Sequence, residues 1–405
     1  MNTIIFNADE EYELDWLTDR KNFKAQIIFE QHYQSPIRPR CHCLTDSRNR
    51  ELVVKKRTRF FLAKFPGTGE NHADTCNLHG ATSFEATNQK RKSPAIIERG
   101  DKLNVKISSY LDLASITPAG NTIIGNYTRG MRSRGTVTLL GLLNVCLQKS
   151  GIHVWQPVRK YLRTFNTVQK SVDAIAEHIT IGRRQLSSML VMPRWQKGLD
   201  RVQNLEQNSQ LLFRKTAKSG EAAIVIGVVN RWIVSNDNGS VRVGLNLLDN
   251  LLWMPSETAV VAEISFGQLI KEIKLDDRHI LAIATVFRNK KFFKIADISL
   301  MRTNRQFIPV DSPFELVVAD KLIANNRKFR KPLRLEGEKY LPDFVLMDCN
   351  SDWVMEVFGV QGNSEYDAQK MLKINYYEKN QIPCWKWTPA EDDDMPDFPT
   401  AQPKA

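Results

Sequence analysis

Two groups of residues in the 405-residue chain have the types and spacing that site chemistry needs. The first is Cys41, Cys43, His72 and Cys76. Zn2+ takes four tetrahedral nitrogen and sulfur ligands. A C-x-C pair and an H-x-x-x-C pair, separated by two strand-like runs (Leu52 to Val54, Phe60 to Leu62) and a turn at Pro66 and Gly67, can converge on one ion. Such a site, closed by four protein ligands, is structural and stabilises a small β unit that has little apolar core of its own. His42 and His79 stand as alternative ligands. In a reducing compartment disulfides are disfavoured, so clustered thiols point to a metal. Cys146, on an apolar helical face, reads as packing, and Cys349 and Cys384 as core or loop residues.

The second group is Glu315, Asp343 and Glu356, followed by Lys370 and Lys373. Pro342 and Asp343 lead into Phe344, Val345 and Leu346, and Glu356 lies 13 residues beyond Asp343 in another apolar run. Two such runs joined by a polar turn pair as a hairpin, which brings the two carboxylates together. Like charges held close repel unless a cation neutralises them. Mg2+ is usually bound through one or two carboxylates plus substrate phosphate. Ser312 and Pro313 open a helix whose first turn holds Glu315; Phe314, Val317, Val318, Leu322 and Ile323 give it an apolar face. A second helix is expected over residues 364–380, with Tyr366, Lys370, Lys373 and Tyr377 on one face. A last strand is expected over 382–387.

The order helix, strand, strand, helix, strand, with Pro342, Asp343 and Glu356 in these places, resembles the PD-(D/E)xK nuclease superfamily, whose core is α-β-β-β-α-β. The resemblance covers residues 311–388. It implies a restriction-endonuclease-like domain that hydrolyses phosphodiester bonds in DNA with Mg2+ or Mn2+. Asp343, Glu356 and the main-chain carbonyl of Val357 would hold the metal, and Glu315 would hold a second ion or position water. A lysine ammonium would orient the attacking water and stabilise charge in the transition state. The family lysine stands two positions after the second acid, where this chain has Phe358. Some members supply it from the next helix, which makes Lys370 the first choice and Lys373 the second. Gln361 is a further neighbour of the site. Together with the C-x-C module, the domain is similar to a bacterial family carried on plasmids and integrative conjugative elements, which implies an endonuclease of a mobile genetic element. The rival is a catalytically inactive nuclease fold that binds or scaffolds DNA. An RNA-directed nuclease is a third possibility.

The remainder of the chain must hold these groups in place and bring substrate to them. The net charge is +12, and it is not evenly spread. Residues 1–80 sum to +1, residues 81–220 carry 22 Lys/Arg against 8 Asp/Glu, and residues 221–405 sum to −3. A focused positive region attracts phosphates without regard to sequence, so DNA is the expected partner. Lys90, Arg91 and Lys92 lie in a linker-like stretch, and Arg129, Arg132 and Arg134 lie among glycines in a candidate phosphate-contact loop.

A multi-domain α/β architecture is expected. Residues 1–90 form the zinc module, and 91–220 a basic, largely helical region with helices at 139–147 and 158–178. Residues 221–305 form a β-rich segment with strands including 222–228, 232–234, 240–245 and 260–264, and a helix within 269–286. The nuclease-like domain spans 308–390, and 391–405 form a disordered acidic tail. No run of about 18 apolar residues suggests a membrane span. Asp9, Glu10, Glu11 and Glu13 stand where a signal peptide would be basic and apolar, so a cytoplasmic location is expected. No P-loop, H-E-x-x-H or G-x-S-x-G motif occurs, and no nucleotide cofactor is expected.

Overall fold

The computed structural model describes residues 3–402 apart from 8–9, 20–21, 57–58, 67, 74, 80–94, 110–135, 158–162, 219, 290–291, 334–339, 360–363 and 393. Lys90, Arg91, Lys92, Arg129, Arg132, Arg134, Arg159, Lys160 and Gln361 therefore lie outside the described residues. None of the described helices is long and apolar enough to cross a membrane.

The N-terminal module contains β1 (Thr3–Asn7), β2 (Glu10–Glu13), α1 (Leu14–Thr18), α2 (Phe23–Gln31), β3 (Arg40–Cys41), β4 (Leu52–Lys56) and β5 (Phe60–Lys64). One sheet has the order β2-β1-β3, and β4 and β5 pair as an antiparallel hairpin. Asn22 caps α2, its side chain accepting from the amides of Lys24 and Ala25. Ile4, Phe6, Leu14, Leu17, Phe29, Leu52 and Val54 form a small core, and Cys41 and Cys76 belong to it.

The middle region contains β6 (Ile96–Arg99), β7 (Lys102–Val105), α3 (Leu139–Lys149), β8 (Val154–Trp155), α4 (Phe165–Ala176), β9 (Ile179–Ile181), β10 (Arg184–Gln185), α5 (Leu186–Met189), β11 (Leu190–Val191) and α6 (Arg201–Lys215). It is more mixed than the helical expectation, because β10-β9-β7-β6 form a sheet. β-Branched Ile179, Thr180 and Ile181 run into Gly182, whose φ of 62° makes the turn to β10. The helix expected over 158–178 is described from Phe165 to Ala176. Cys146 is fully buried among Leu142, Leu143 and Leu147.

Next come β12 (Ala223–Val234), β13 (Val241–Leu245), β14 (Leu252–Met254), α7 (Ser256–Lys271), β15 (Arg278–Arg288) and β16 (Phe293–Asn304). Their order is β12-β13-β14-β16-β15, and β15 pairs back to β12, closing a five-stranded barrel; β11 adds alongside β12. Two expectations are corrected. The strand expected at 260–264 lies inside α7, where Val260 and Ile264 face solvent while Ala259 and Ala262 pack inward. The helix expected within 269–286 gives way, beyond α7, to β15. Ile280, Ala282 and Ala284 pack into one core and Leu281 and Ile283 into another. A strand buried on both faces loses the alternation that identifies strands in a sequence.

The C-terminal domain has α8 (Pro313–Ala324), β17 (Phe329–Arg330), β18 (Phe344–Leu346), β19 (Trp353–Val357), α9 (Ser364–Lys379) and β20 (Cys384–Trp387). Its sheet runs β20-β19-β18-β17-β8, antiparallel except for the parallel pair β19–β20. The element order is thus α-β-β-β-α-β, one short strand more than the α-β-β-α-β order expected. The segment after it is not the loose tail expected. Met395 and Phe398 pack against the domain core, the Trp385 indole N–H donates to Asp397 O at 3.1 Å, and the Gln402 amide donates to Asp348 O at 2.8 Å. Apolar side chains interleaved with the acids supply a docking face that net charge alone does not reveal.

Candidate functional site

In the N-terminal module β3 ends at buried Cys41, and just beyond it His42 is exposed and Cys43 half-buried. Tight turns between His72 and His79 bring Cys76 back beside them, with the Cys76 amide donating to Ala73 O. Cys41 Sγ and Cys76 Sγ are 3.9 Å apart, and His72 Nδ1 lies 3.6 Å from Cys43 Sγ and 3.7 Å from Cys76 Sγ. Zn–S bonds of about 2.3 Å and a Zn–N bond of about 2.0 Å set tetrahedral ligand atoms about 3.5–3.8 Å apart. The amides of Ala73 and Leu78 donate to Cys43 Sγ and Cys76 Sγ, which favours thiolate.

Burial, with the nearby charges of Lys64 and Arg50, holds the His72 imidazole down at about 4, so it is neutral and able to ligate at ordinary pH. Burial raises both the Cys41 and Cys76 thiols, so a cation is what would stabilise them as thiolates. Among the described residues, Cys41, Cys43, His72 and Cys76 are the group of possible ligands whose atoms all lie within 4.8 Å, and they could hold a metal ion such as zinc. His42 and His79 are not in the group.

A buried arginine, which the sequence did not single out, ties the two ligand segments together. Arg50 is 5% exposed and donates to Cys41 O, Leu44 O and Asn71 O while pairing with Asp46.

In the C-terminal domain the hairpin register Phe344↔Met355 continues into a hydrogen bond from the Asp343 amide to Met355 O. This sets Asp343 beside Glu356, and Asp343 Oδ2 accepts from the Val357 amide at 2.8 Å. The Val357 main chain thus meets the acid through its N–H. Glu356 is buried, and both of its oxygens are engaged: Oε1 accepts from Tyr377 Oη and Oε2 from Lys373 Nζ, each at 2.6 Å. Lys370 points elsewhere, 3.2 Å from Thr388 Oγ1 and over the Phe358 ring. Of the two lysines, it is Lys373 and not Lys370 that contacts Glu356.

Ser312 caps α8, fixing Glu315 in its first turn. Glu315 Oε2 accepts from Lys331 Nζ at 2.6 Å and from the Asp311 amide at 2.9 Å. Lys331 also lies 3.1 Å from the Asp311 carboxylate. Burial pushes Glu315 up to about 7; the charges of Asp343 and Asp311 add to that and the Lys331 charge opposes it. Burial likewise pushes Glu356 up to about 7, opposed by Lys373 and reinforced by Asp343. Asp343 acts electrostatically on both glutamates and on Lys331, so the three acids share one electrostatic neighbourhood. They do not bring three carboxylate oxygens within 4.8 Å of one another. Lys331 was missed at the level of sequence. Its one signal was position: it lies two residues after buried Phe329, on the inward side of a short extended run.

The chain belongs to the family described as "Protein of unknown function (DUF1173)", which matches residues 13–390 and so spans both groups. No curated protein matches the chain.

Proposed function

We propose that this DUF1173 protein is a DNA-handling protein with a structural Zn2+ at Cys41, Cys43, His72 and Cys76, and that its acid–lysine site hydrolyses phosphodiester bonds with Mg2+ or Mn2+. The observation that carries the second half is the charge balance around Asp343. Asp311, Glu315, Asp343 and Glu356 outnumber the ammonium groups of Lys331 and Lys373, and two of the acids are pushed toward protonation by burial. A divalent cation offsets such a surplus. The α-β-β-β-α-β order and the place of Asp343 and Glu356 on its central hairpin support the reading.

In this reading Asp343 and Glu356 would hold the cation, and the chemistry it would supply is Lewis acidity toward water and charge stabilisation on the phosphate. The chain's own groups orient the reactants. Lys373 would hold the attacking water, Tyr377 fixes the Glu356 rotamer, and Lys331 fixes Glu315 beside the site while opposing its protonation. A cation bound at Glu356 must share its oxygens with Lys373 and Tyr377 or displace the ammonium. The basic segment 81–220 is the proposed DNA-attracting part, and a role in a mobile element follows from the resemblance alone.

The rival reading, an inactive fold that only binds DNA, is favoured by one observation: both Glu356 oxygens are already satisfied by protein groups. Incubation of the full-length protein with supercoiled plasmid and Mg2+ or Mn2+ separates the two. Metal-dependent nicking that disappears in Asp343→Asn supports hydrolysis, and no nicking with either ion leaves the binding role.

A further inference from the structure

We propose that the outer face of the barrel formed by β12 to β16 binds single-stranded DNA, stacking bases on Trp253 and Phe292 and pairing phosphates with Arg231, Arg242 and Lys294. The inference stands on the barrel alone and does not depend on the acid–lysine site.

The connectivity is the first ground. Five strands close in the order first, second, third, fifth, fourth, and back to the first. The helix α7 joins the third strand to the fourth and packs Ala259, Ala262, Phe266 and Leu269 into the barrel core. This is the arrangement of oligonucleotide- and oligosaccharide-binding barrels, in which the face of the second and third strands takes the ligand.

The second ground is what that face carries. Val241, Val243, Leu252, Met254, Phe293 and Ile295 point inward, so the residues between them point outward. Register then aligns a continuous row across four strands: Ile233 opposite Arg242, Arg242 opposite Trp253, and Trp253 opposite Lys294. Ile233 is 45% exposed and Phe292 38% exposed. The Phe292 ring lies 5.1 Å from that of Trp253, edge to face, and Lys294 Nζ sits 5.8 Å from the Trp253 ring.

The third ground is a shaped position beside the row. Arg231 lies opposite Gly244, where a Cβ would come within 2.8 Å of the Arg231 Nε. The glycine leaves room for the guanidinium to lie along the sheet. Among the described residues, no carboxylate forms an ion pair with Arg231, Arg242 or Lys294, so their charge is available to a ligand.

Cations alternating with the half-buried Trp253 and the exposed Phe292 on one face match the repeating phosphates and bases of a single strand. A duplex hides its base faces and would use only the cations. An acidic protein segment would also meet the cations, but it has no bases to stack on Trp253.

Fluorescence anisotropy without added Mg2+ or Mn2+, which withholds the ion that cleavage needs and leaves zinc in place, tests this with the full-length protein and a labelled oligothymidylate of about 16 nucleotides, the upper site size for one such barrel. We expect Trp253→Ala to weaken binding about tenfold or more, and Trp253→Phe to restore most of it. Arg242→Ala combined with Lys294→Ala should lower the slope of log K against log salt by about 1.4, at about 0.7 per phosphate contact on a single strand. Circular dichroism melts matching wild type confirm that the variants fold. The proposal is overturned by wild-type protein that fails to bind, by binding that folded Trp253→Ala and Arg242→Ala/Lys294→Ala variants leave unchanged, or by tighter binding of the duplex or of the equivalent RNA. Loss of plasmid nicking with oligothymidylate binding intact, or the reverse, separates this face from the acid–lysine site.

Discussion

The ammonium of Lys331 lies 2.6 Å from Glu315 Oε2, and both side chains are almost fully buried. Two charges removed from water hold each other only while both are present. Taking one away leaves the other buried and unpaired. Lys331→Met should therefore lower stability by about 3 kcal/mol, and Glu315→Gln by a smaller amount because the amide can still accept from the Asp311 N–H. The double variant should recover part of the loss. Urea denaturation of the three proteins checks this, and strictly additive losses would show that the pair is not coupled.

The cysteine cluster makes a prediction with a direct readout. Protein purified without chelator should carry about one zinc per chain, since four ligands complete a structural site. Cys76→Ser or His72→Ala should lose the metal and loosen the N-terminal module, while His42→Ala and His79→Ala should keep it. Metal analysis of the purified variants decides the matter. Zinc retained in Cys76→Ser but lost in His79→Ala would assign a different ligand set.

The two lysines of α9 can be told apart by activity. Lys373 touches Glu356 Oε2, whereas Lys370 reaches Thr388. If the site cuts DNA, Lys373→Met should reduce the rate by about 100-fold, the scale for removing one preorganised transition-state donor. Lys370→Met should cost at least tenfold less. A plasmid nicking assay at saturating Mg2+ measures both, and equal losses would argue against the placement of the lysine seen here.

That contrast also shows where sequence information ends. The cluster of Cys41, Cys43, His72 and Cys76 was legible because thiol and imidazole types are scarce and the C-x-C pair is local. Asp343 and Glu356 were legible because a proline-entered hairpin fixes its register. Lys370 and Lys373, three residues apart on one helical face, cannot be ranked by periodicity; the way α9 crosses β19 decides between them. Lys331 was invisible because its partner, Glu315, is 16 residues away on another element and a single lysine just past a two-residue strand carries no pattern. The barrel was half legible. Its strands at 222–228, 232–234 and 240–245 were clear, but α7 shows an apolar run on its exposed side and β15 is buried on both faces, so each resembled the other's element. Closure of the barrel, and with it the outward row at Trp253, depends on the antiparallel pairing of β12 with β15, as of Ala223 with Val286 and Val228 with Leu281, a separation at which local pattern says nothing.

A last prediction concerns acid stability. Glu272, 3% exposed at the end of α7, accepts from Arg302 Nε at 2.6 Å and Nη2 at 2.7 Å, from Arg278 Nη1 at 3.0 Å and from Gln268 at 3.1 Å. Burial alone would raise its pKa, but the Arg302 fork, Gln268 and Arg278 outweigh that and hold it down at about 2, against an ordinary value of 4.5. The unfolded chain therefore takes up a proton before the folded one does. The contribution of Glu272 to stability is complete above about pH 4.5 and is lost as pH falls from there toward about 2. Glu272→Gln should destabilise the protein by about 3 kcal/mol at pH 7, because it leaves buried Arg302 without its counter-charge. The gap between variant and wild type should narrow on acidification. Urea midpoints for both proteins at pH 7, 4.5 and 3 test it; a gap that stays constant across that series would remove Glu272 as the acid-sensitive group of the barrel.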